Sequence, residues 1–110
     1  MNKVILSGRF TKENELEESK ESKTKILRNT IAVNRDKTTT DFVNVVFLGK
    51  TAELVEKYTT KGNRIQVVGA LHINNYEDKE TKEKKTYTNV LVESVDLIDF
   101  KEKENNELPM

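Results

Sequence analysis

Two aromatic residues and a set of cations in the middle of the chain are the side chains best suited to binding chemistry. Phe42 opens an alternating apolar stretch, and Tyr76 follows two asparagines. Positive charge lies near them in the sequence at Arg35, Lys50 and Lys61. An aromatic ring can stack on an unpaired base for about 1 to 3 kcal/mol, and a cation can neutralise a phosphate. This combination of residue types is typical of surfaces that bind single-stranded nucleic acid.

Catalytic and metal-binding chemistry finds less support. The chain has no Cys, which excludes a thiol nucleophile, a disulfide framework and a Cys-ligated zinc site. Its one His, His72, lacks neighbouring residues that would make it a ligand or a base. The acid pairs Glu17–Glu18 and Glu77–Asp78 are adjacent in the sequence and point apart, which disfavours a catalytic dyad. We expect a protein that is not an enzyme and that holds neither a metal nor another cofactor.

Length and charge limit the architecture. The 110 residues, with 19 basic and 19 acidic side chains, suffice for one small domain. Acidic residues concentrate at 13–21 and 93–107, and the rest of the chain up to residue 92 carries 16 basic against 8 acidic side chains, which favours a polyanionic ligand. We expect a folded domain over residues 1–100 and a disordered acidic C-terminal tail over residues 101–110. No apolar run approaches the roughly 18 residues that span a bilayer, so we expect a cytoplasmic protein without a membrane partner.

The apolar periodicity predicts five strands and one helix. Alternation marks strands at 3–10, 25–34, 42–48, 64–72 and 86–98, and a spacing of three to four marks an amphipathic helix at 51–60. Residues 11–24 are charged and without a period, which predicts a mobile loop, and residues 74–86 are predicted to form a hairpin arm. Glycines are assigned a bulge at Gly8, a bulge or sharp bend at Gly69, and the left-handed cap of the helix at Gly62.

The alternation also predicts which face each strand residue takes. In the third strand Val43, Val45 and Phe47 are placed toward the core, and Phe42, Val46 and Leu48 outward. In the last strand Leu91, Val95 and Leu97 are placed together on one face. Outward apolar groups need a cover, which a base or a second subunit can provide. Because a five-stranded sheet must dispose of its edges, this element order predicts an all-β OB-fold, a Greek-key barrel with one short helix between strands three and four.

Each candidate also has a structural alternative. Phe42 suits a subunit interface or a rim position, and Tyr76 suits cross-strand packing. Lys61 also complements the end of the helix. Further phosphate candidates are Arg28, Lys82, Lys84 and Lys85. The three lysines alternate with glutamates, which is as typical of a solvated hairpin tip as of a phosphate site.

Five segments, taken in order, resemble the bacterial and phage single-stranded DNA-binding protein family. They are NKVILSGRF at 2–10, TIAVNR at 30–35, DFVNVVFLGKTAELVEKYTTKGN at 41–63, VVGAL at 67–71, and NNYED at 74–78 followed by TYTNVLVESV at 86–95. The resemblance implies an OB-fold subunit that assembles into a homotetramer. It also implies that the subunits coat single-stranded DNA without strict sequence preference during DNA replication, recombination and repair.

The resemblance assigns roles to four stacking positions. Phe42 and Tyr76 match large aromatic residues of the family. Leu48 and Lys37 stand at positions that are generally aromatic in it. Half of the stacking surface is therefore changed, which implies weaker binding than in a relative rich in Trp.

Basic positions of the family are also only partly kept. Lys50 and Lys61 match them, whereas Asn44, Asn74 and Asn75 stand where related proteins often have Arg or Lys. The resemblance therefore assigns nucleic-acid binding to the two lysines and to Asn44 and Asn74, and the missing positive charge implies weaker binding than in a strongly basic relative.

The last four residues, Glu107, Leu108, Pro109 and Met110, resemble the family's acidic tip, which binds other replication proteins. We therefore expect replication or recombination proteins to bind there. The compact length resembles phage or mobile-element members, which implies the cytoplasm of a bacterial cell or a phage-infected host. Two alternatives stay open: a dimer built through the first strands, and an OB-fold protein-interaction module of a replication or primosome complex.

Overall fold

The structure is a computed structural model that describes residues 1–100. Its elements in chain order are β1 (Val4–Phe10), β2 (Leu16–Glu18), β3 (Lys25–Asn34), β4 (Thr40–Leu48), α1 (Gly49–Tyr58), β5 (Arg64–Glu77) and β6 (Lys84–Leu97). The predicted all-β fold, with a short helix between the third and fourth long strands, is confirmed. The predicted tail lies outside the described residues, and so does its tip from Glu107 to Met110.

The five long strands form a closed ring. Neighbours follow the order β1, β5, β6, β4, β3, with β2 beside β3, and a pairing between β1 and β3 closes the ring. Within residues 1–100, β4 and β6 are the only strands that pair in parallel, with Val45 opposite Val90 and Val46 opposite Leu91. Closure gives each strand one face toward a common interior and one toward solvent.

Apolar side chains fill most of the interior of the ring, and Asn29 and Thr59 are its buried polar residues among those described. Phe10 and Phe47 pack edge to face with their ring centroids 6.1 Å apart. The helix lies against β3 and β4 and adds Ala52 and Val55 to this core. The other core residues are Leu27, Ile31, Val45, Ile65, Val67, Val90 and Val92.

Residues 11–24 are more ordered than predicted. Leu16–Glu18 form β2, which pairs with β3 from Lys25 to Leu27, so the predicted mobile loop is wrong for this segment. Leu16 packs against the core. Three residues with one apolar side chain are too few to show an alternating pattern in the sequence. The segment is ordered because its backbone pairs with β3.

The helix ends earlier than predicted, and Gly62 does not cap it. Thr59 has extended backbone, and both its N–H (3.0 Å) and its Oγ1 (2.6 Å) donate to the carbonyl oxygen of Val55. Gly62, at φ +90°, lies in the following turn, where its N–H donates to the Phe10 carbonyl at 2.9 Å. Thr59 supplies the hydrogen bonds at the end of the helix. Gly62, with its positive φ, instead allows the chain to turn before β5.

Gly8 lies where β1 passes from β5 to β3. The register of β1 against β5 runs without interruption from Val4 to Arg9, so the predicted bulge at Gly8 is wrong. A Cβ at Gly8 would lie 2.6 Å from the carbonyl oxygen of Ala32. The position therefore requires glycine because two strands approach closely where the ring closes.

Gly69 marks the predicted bulge. The register of β5 against β6 shifts between Val68 and Gly69, whose partners are Ser94 and Val92. Glu93 is therefore an extra residue of β6 without a partner on β5. Such an extra residue reverses the alternation of side chains along the strand.

The reversal changes the faces of β6. Val90 and Val92 are buried before the bulge, while Val95 and Leu97 pack against the core after it. Leu91 consequently points outward, beside Val46 of β4. The predicted placement of Leu91 with Val95 and Leu97 is wrong, because the bulge lies between them.

Candidate nucleic-acid interface

The outer face of β4 carries the apolar side chains that the alternation predicts. Val45 and Phe47 are fully buried, whereas Phe42 keeps 67% of its surface exposed and Leu48 is also exposed. Val46 lies between them on the same side. The predicted faces of β4 are therefore confirmed.

Phe42 borders an open cleft of about 670 Å³, called here the Phe42 cleft. Ala32 of β3 lies opposite Phe42, and its small side chain leaves the ring accessible. Arg9 of β1 lies beyond Ala32, and Arg64 of β5 lies opposite Arg9. Both arginines line the cleft, together with Ile98.

Neither Arg9 nor Arg64 was among the predicted site residues. Both stand on the outward face of their strands, and that face was readable from the sequence. Their nearness to Phe42 depends on β1 lying between β3 and β5, which alternation alone does not reveal.

Tyr76 lies on a hairpin that extends from the closed ring of strands; this hairpin is called here the arm (residues 72–89). The predicted fourth strand ends at His72, but β5 continues to Glu77, so Tyr76 is a strand residue opposite Lys85. Its side chain is 51% exposed beside a hollow of about 420 Å³. The ladder with β6 holds the ring of Tyr76 on one face of the arm.

Phe42 and Tyr76 point to the same outer face. Val46 on that face lies opposite Leu91 of β6, and every second residue of β6 from Leu91 back to Lys85 shares its side. Lys85 lies opposite Tyr76 without any register shift between. The structure therefore brings both predicted stacking residues to one surface, on strands that flank β6.

Arg35 forms a close ion pair at the turn before Phe42. Its Nη2 donates to Asp41 Oδ1 at 2.6 Å and its Nε donates to Oδ2 at 3.2 Å. The hydrogen bond from Arg35 is the main reason that the pKa of Asp41 is lowered. Arg35 thus holds the turn between β3 and β4, and its charge is compensated by an acid that sequence reasoning missed.

The side-chain amide of Asn44 forms hydrogen bonds within the fold. Its Oδ1 accepts from Thr30 Oγ1 at 3.0 Å, and its Nδ2 donates to the carbonyl of Thr88 at 3.3 Å. These bonds join β3, β4 and β6. Asn74, in contrast, is exposed on the outer face of the arm.

Lys50 and Lys61 belong to different segments, α1 and the turn before β5. Lys50 is exposed in the first turn of α1, two residues after Leu48. Lys61 is exposed in the turn before β5, and Arg9 Nη1 joins that turn by donating to Gly62 O at 3.1 Å. Lys61 is therefore adjacent to a residue that Arg9, part of the Phe42 cleft, contacts.

Several cations are paired with acids on the surface. β2 brings Glu17 to Arg28, with Nη1 and Oε1 2.6 Å apart, and Lys85 pairs with Asp78 at 3.3 Å. The pKa of Asp78 is lowered, first by the backbone N–H of Glu80. Two predicted phosphate candidates, Arg28 and Lys85, are thus partly compensated. The acidic segment 13–21 lies beside the cations, with Glu17 next to Arg28 and Glu18 next to Lys25.

A metal site and a membrane-spanning helix each have structural requirements that the described residues do not meet. Between residues 1 and 100, His, Asp and Glu side chains nowhere form a group of three that could hold a metal ion. In the same part of the chain, the helix is neither long nor apolar enough to span a membrane.

The closed ring of strands, with its helix between β4 and β5, is the arrangement of an OB-fold. The family described as "Single-strand binding protein family" matches residues 1–98. The chain belongs to this family.

Known relatives carry related names. The chain is 43% identical over 101 residues to the single-stranded DNA-binding protein of Clostridium perfringens, covering 90% of this chain and 67% of the relative. It is 35% identical over 114 residues to single-stranded DNA-binding protein 1 of Staphylococcus aureus, covering 97% and 71%. It is 36% identical over 107 residues to single-stranded DNA-binding protein 1 of Clostridium acetobutylicum, covering 92% and 96%.

Proposed function

We propose that this protein binds single-stranded DNA without strict sequence preference and stacks bases on Phe42 and Tyr76. The observation that supports this most directly is the exposed ring of Phe42, on a strand whose other face carries the fully buried Val45 and Phe47. A general binder of single strands needs aromatic faces and cations in reach of the backbone. Family membership and the names of the relatives favour DNA as the ligand.

Phosphate contacts are assigned to Lys50, Lys61 and Arg35. Lys50 lies two residues after Leu48, Lys61 is next to Gly62, which Arg9 of the Phe42 cleft contacts, and Arg35 stands at the turn before Phe42. Arg35 and Asp41 are both exposed, so water and salt screen their ion pair and a phosphate can compete for the arginine. Leu48 and Asn74 contribute apolar and polar contacts, while Asn44 acts mainly by holding β4 against β6.

We also propose that the protein acts as a homotetramer. Among the described residues, β1 pairs with β5 along one edge and with β3 only at Arg9 and Phe10, which leaves the other edge open from residue 4 to 8. An open edge is a site for pairing with a second chain. A dimer built through β1 is the smaller alternative, and a mass measurement in solution distinguishes the two.

The proposed setting is DNA replication, recombination and repair in the cytoplasm of a bacterial cell. The assignment to a phage or mobile element stays a prediction. Glu107, Leu108, Pro109 and Met110 are proposed to bind a replication or recombination protein. A pull-down with and without these four residues tests that role, and equal recovery of the partner would refute it.

Binding to DNA is tested with oligothymidine. We expect a gel shift with a dT oligomer at low salt and loss of the complex as salt rises, because phosphate binding releases counterions. The second candidate is a protein-interaction module, which the apolar outer strip of Phe42, Val46 and Leu48 also favours. A protein that leaves the oligomer unshifted at low ionic strength would support that candidate instead.

A further inference from the structure

Tyr87 lies between the two proposed stacking residues. Phe42 belongs to β4 and Tyr76 to β5, and β6 runs between these strands. The outward residues of β6 in this region are Lys85, Tyr87, Asn89 and Leu91. Of these four side chains, only that of Tyr87 is aromatic.

The strand register places Tyr87 next to both proposed stacking residues, Tyr76 and Phe42. It lies opposite Asn74 of β5, so it is the diagonal neighbour of Tyr76 on the same face. Val46 lies opposite Leu91, and Asn44 Nδ2 reaches the carbonyl of Thr88, so the parallel alignment continues toward the start of β4. Extending that alignment sets the position of Phe42 against that of Tyr87.

The surface around Tyr87 is open to a ligand. The side chain is 41% exposed, although it lies in the middle of a two-stranded ladder. Asn74 across the ladder is too small to cover a phenol ring. β4 and β5 lie two strand spacings apart, about 10 Å. A DNA strand that passes from Phe42 to Tyr76 must therefore cross the ring of Tyr87.

We propose that Tyr87 is a third base-stacking residue, which carries single-stranded DNA across β6 between Phe42 and Tyr76. This inference rests on the proposed binding of single-stranded DNA. The three rings then form one aromatic path along the outer face and partly replace the stacking positions occupied by Leu48 and Lys37. A purely structural Tyr87 would pack on its strand neighbours and leave DNA binding unaffected.

The tyrosine content of the chain allows a direct test. The protein has no Trp and three Tyr, at positions 58, 76 and 87. The variant Tyr58→Phe/Tyr76→Phe keeps a stacking ring at position 76 and leaves Tyr87 as the only tyrosine emitter. Binding is followed by the anisotropy of an end-labelled dT oligomer, and stacking by the tyrosine emission with unlabelled dT.

We expect the emission of Tyr87 to be quenched over the same protein-to-DNA ratios at which the anisotropy rises. A rise in anisotropy with unchanged emission would overturn the inference and leave the proposed function standing. No rise in anisotropy, with wild-type protein as well, would overturn the proposed function and the inference together. The variant Tyr76→Phe/Tyr87→Phe is the control, because Tyr58 lies on the helix and its emission should stay constant.

Affinity gives an independent readout. Tyr87→Leu should weaken dT binding about 5- to 150-fold, the range expected for loss of one stacked base. Tyr87→Phe should retain the affinity because the ring is kept. Thr88→Ala, at the next residue and on the opposite face of β6, is the matched control and should bind as the wild type does. Equal affinity of Tyr87→Leu and wild type would refute the role.

Discussion

Arg64 and Asp99 are joined by three hydrogen bonds at the border of the Phe42 cleft. The Arg64 Nε and backbone N–H donate to Asp99 Oδ2 at 2.9 and 3.0 Å, and Nη2 donates to Oδ1 at 3.0 Å. The side-chain bond and then the backbone bond lower the pKa of Asp99 to about 2. The pair ties the end of β6 to the start of β5.

The low pKa of Asp99 predicts an acid-dependent loss of stability. Its ordinary value is 3.8, so the ionised carboxylate favours the folded chain at neutral pH. This contribution is complete above about pH 4 and is lost as the pH falls through about 2. We expect Asp99→Asn to be less stable than wild type at pH 6, and the difference to shrink between pH 4 and 2. Urea unfolding at several pH values measures it.

The matched control for this variant is Asp96→Asn. Asp96 lies three residues earlier on the outer face of β6 and carries the same charge. A difference between Asp99→Asn and wild type that stays constant down to pH 2 would mean that Asp99 stabilises the fold without being ionised.

Phe42→Ala should weaken oligothymidine binding by about 1 to 3 kcal/mol and leave the protein folded. The reason is that the ring is largely exposed, so its removal takes away a binding face and little core packing. Phe47→Ala, on the opposite face of β4, should instead destabilise the fold by about 3 to 5 kcal/mol. Binding isotherms and thermal unfolding of both variants separate the two effects, and unfolding of Phe42→Ala would reverse the assignment of faces.

Lys61→Gln should reduce the salt dependence of DNA binding. Each phosphate contact on a single strand contributes about 0.7 to the slope of log K against log salt, so the loss of one contact lowers the slope by about that amount. Lys20→Gln removes the same charge from the turn between β2 and β3, away from the Phe42 cleft. Equal slopes for the two variants would show that Lys61 touches no phosphate.

Asn29→Ala should destabilise the domain by about 1 to 3 kcal/mol, because it removes the hydrogen bonds of a buried amide that holds the segment before β2 against β3. Asn29 is only 3% exposed. Its Nδ2 donates to Lys12 O at 3.0 Å and to Asn14 Oδ1 at 2.6 Å. Urea unfolding measures the loss, with exposed Asn75→Ala as control, and faster amide exchange in β2 should accompany it.

The strand faces that were predictable are those without an irregularity. β4 alternates strictly, so burial of Val45 and Phe47 required exposure of Phe42. The helix was predictable in position, but its end depended on the hydroxyl of Thr59 and could not be inferred from spacing.

The features that could not be predicted depend on contacts between distant parts of the chain. Leu16–Glu18 become a strand only because β3 offers a free edge. Arg9 and Arg64 approach Phe42 only because the ring closes through Gly8. Both bulges were predicted from a glycine within a strand. A glycine in a strand can mark a close approach of two backbones as well as a bulge. The predicted bulge is therefore confirmed at Gly69 and wrong at Gly8.

The extra residue at Glu93 makes the two halves of β6 opposite in phase. Deleting it would send Leu91, Asn89 and Tyr87 inward and expose Val90 and Val92, although no side chain of the outer face had been altered. Length changes in this strand are therefore far more disruptive than point substitutions. The turn from Asp78 to Glu83, where the arm reverses, is the place at which insertions should leave the aromatic display intact.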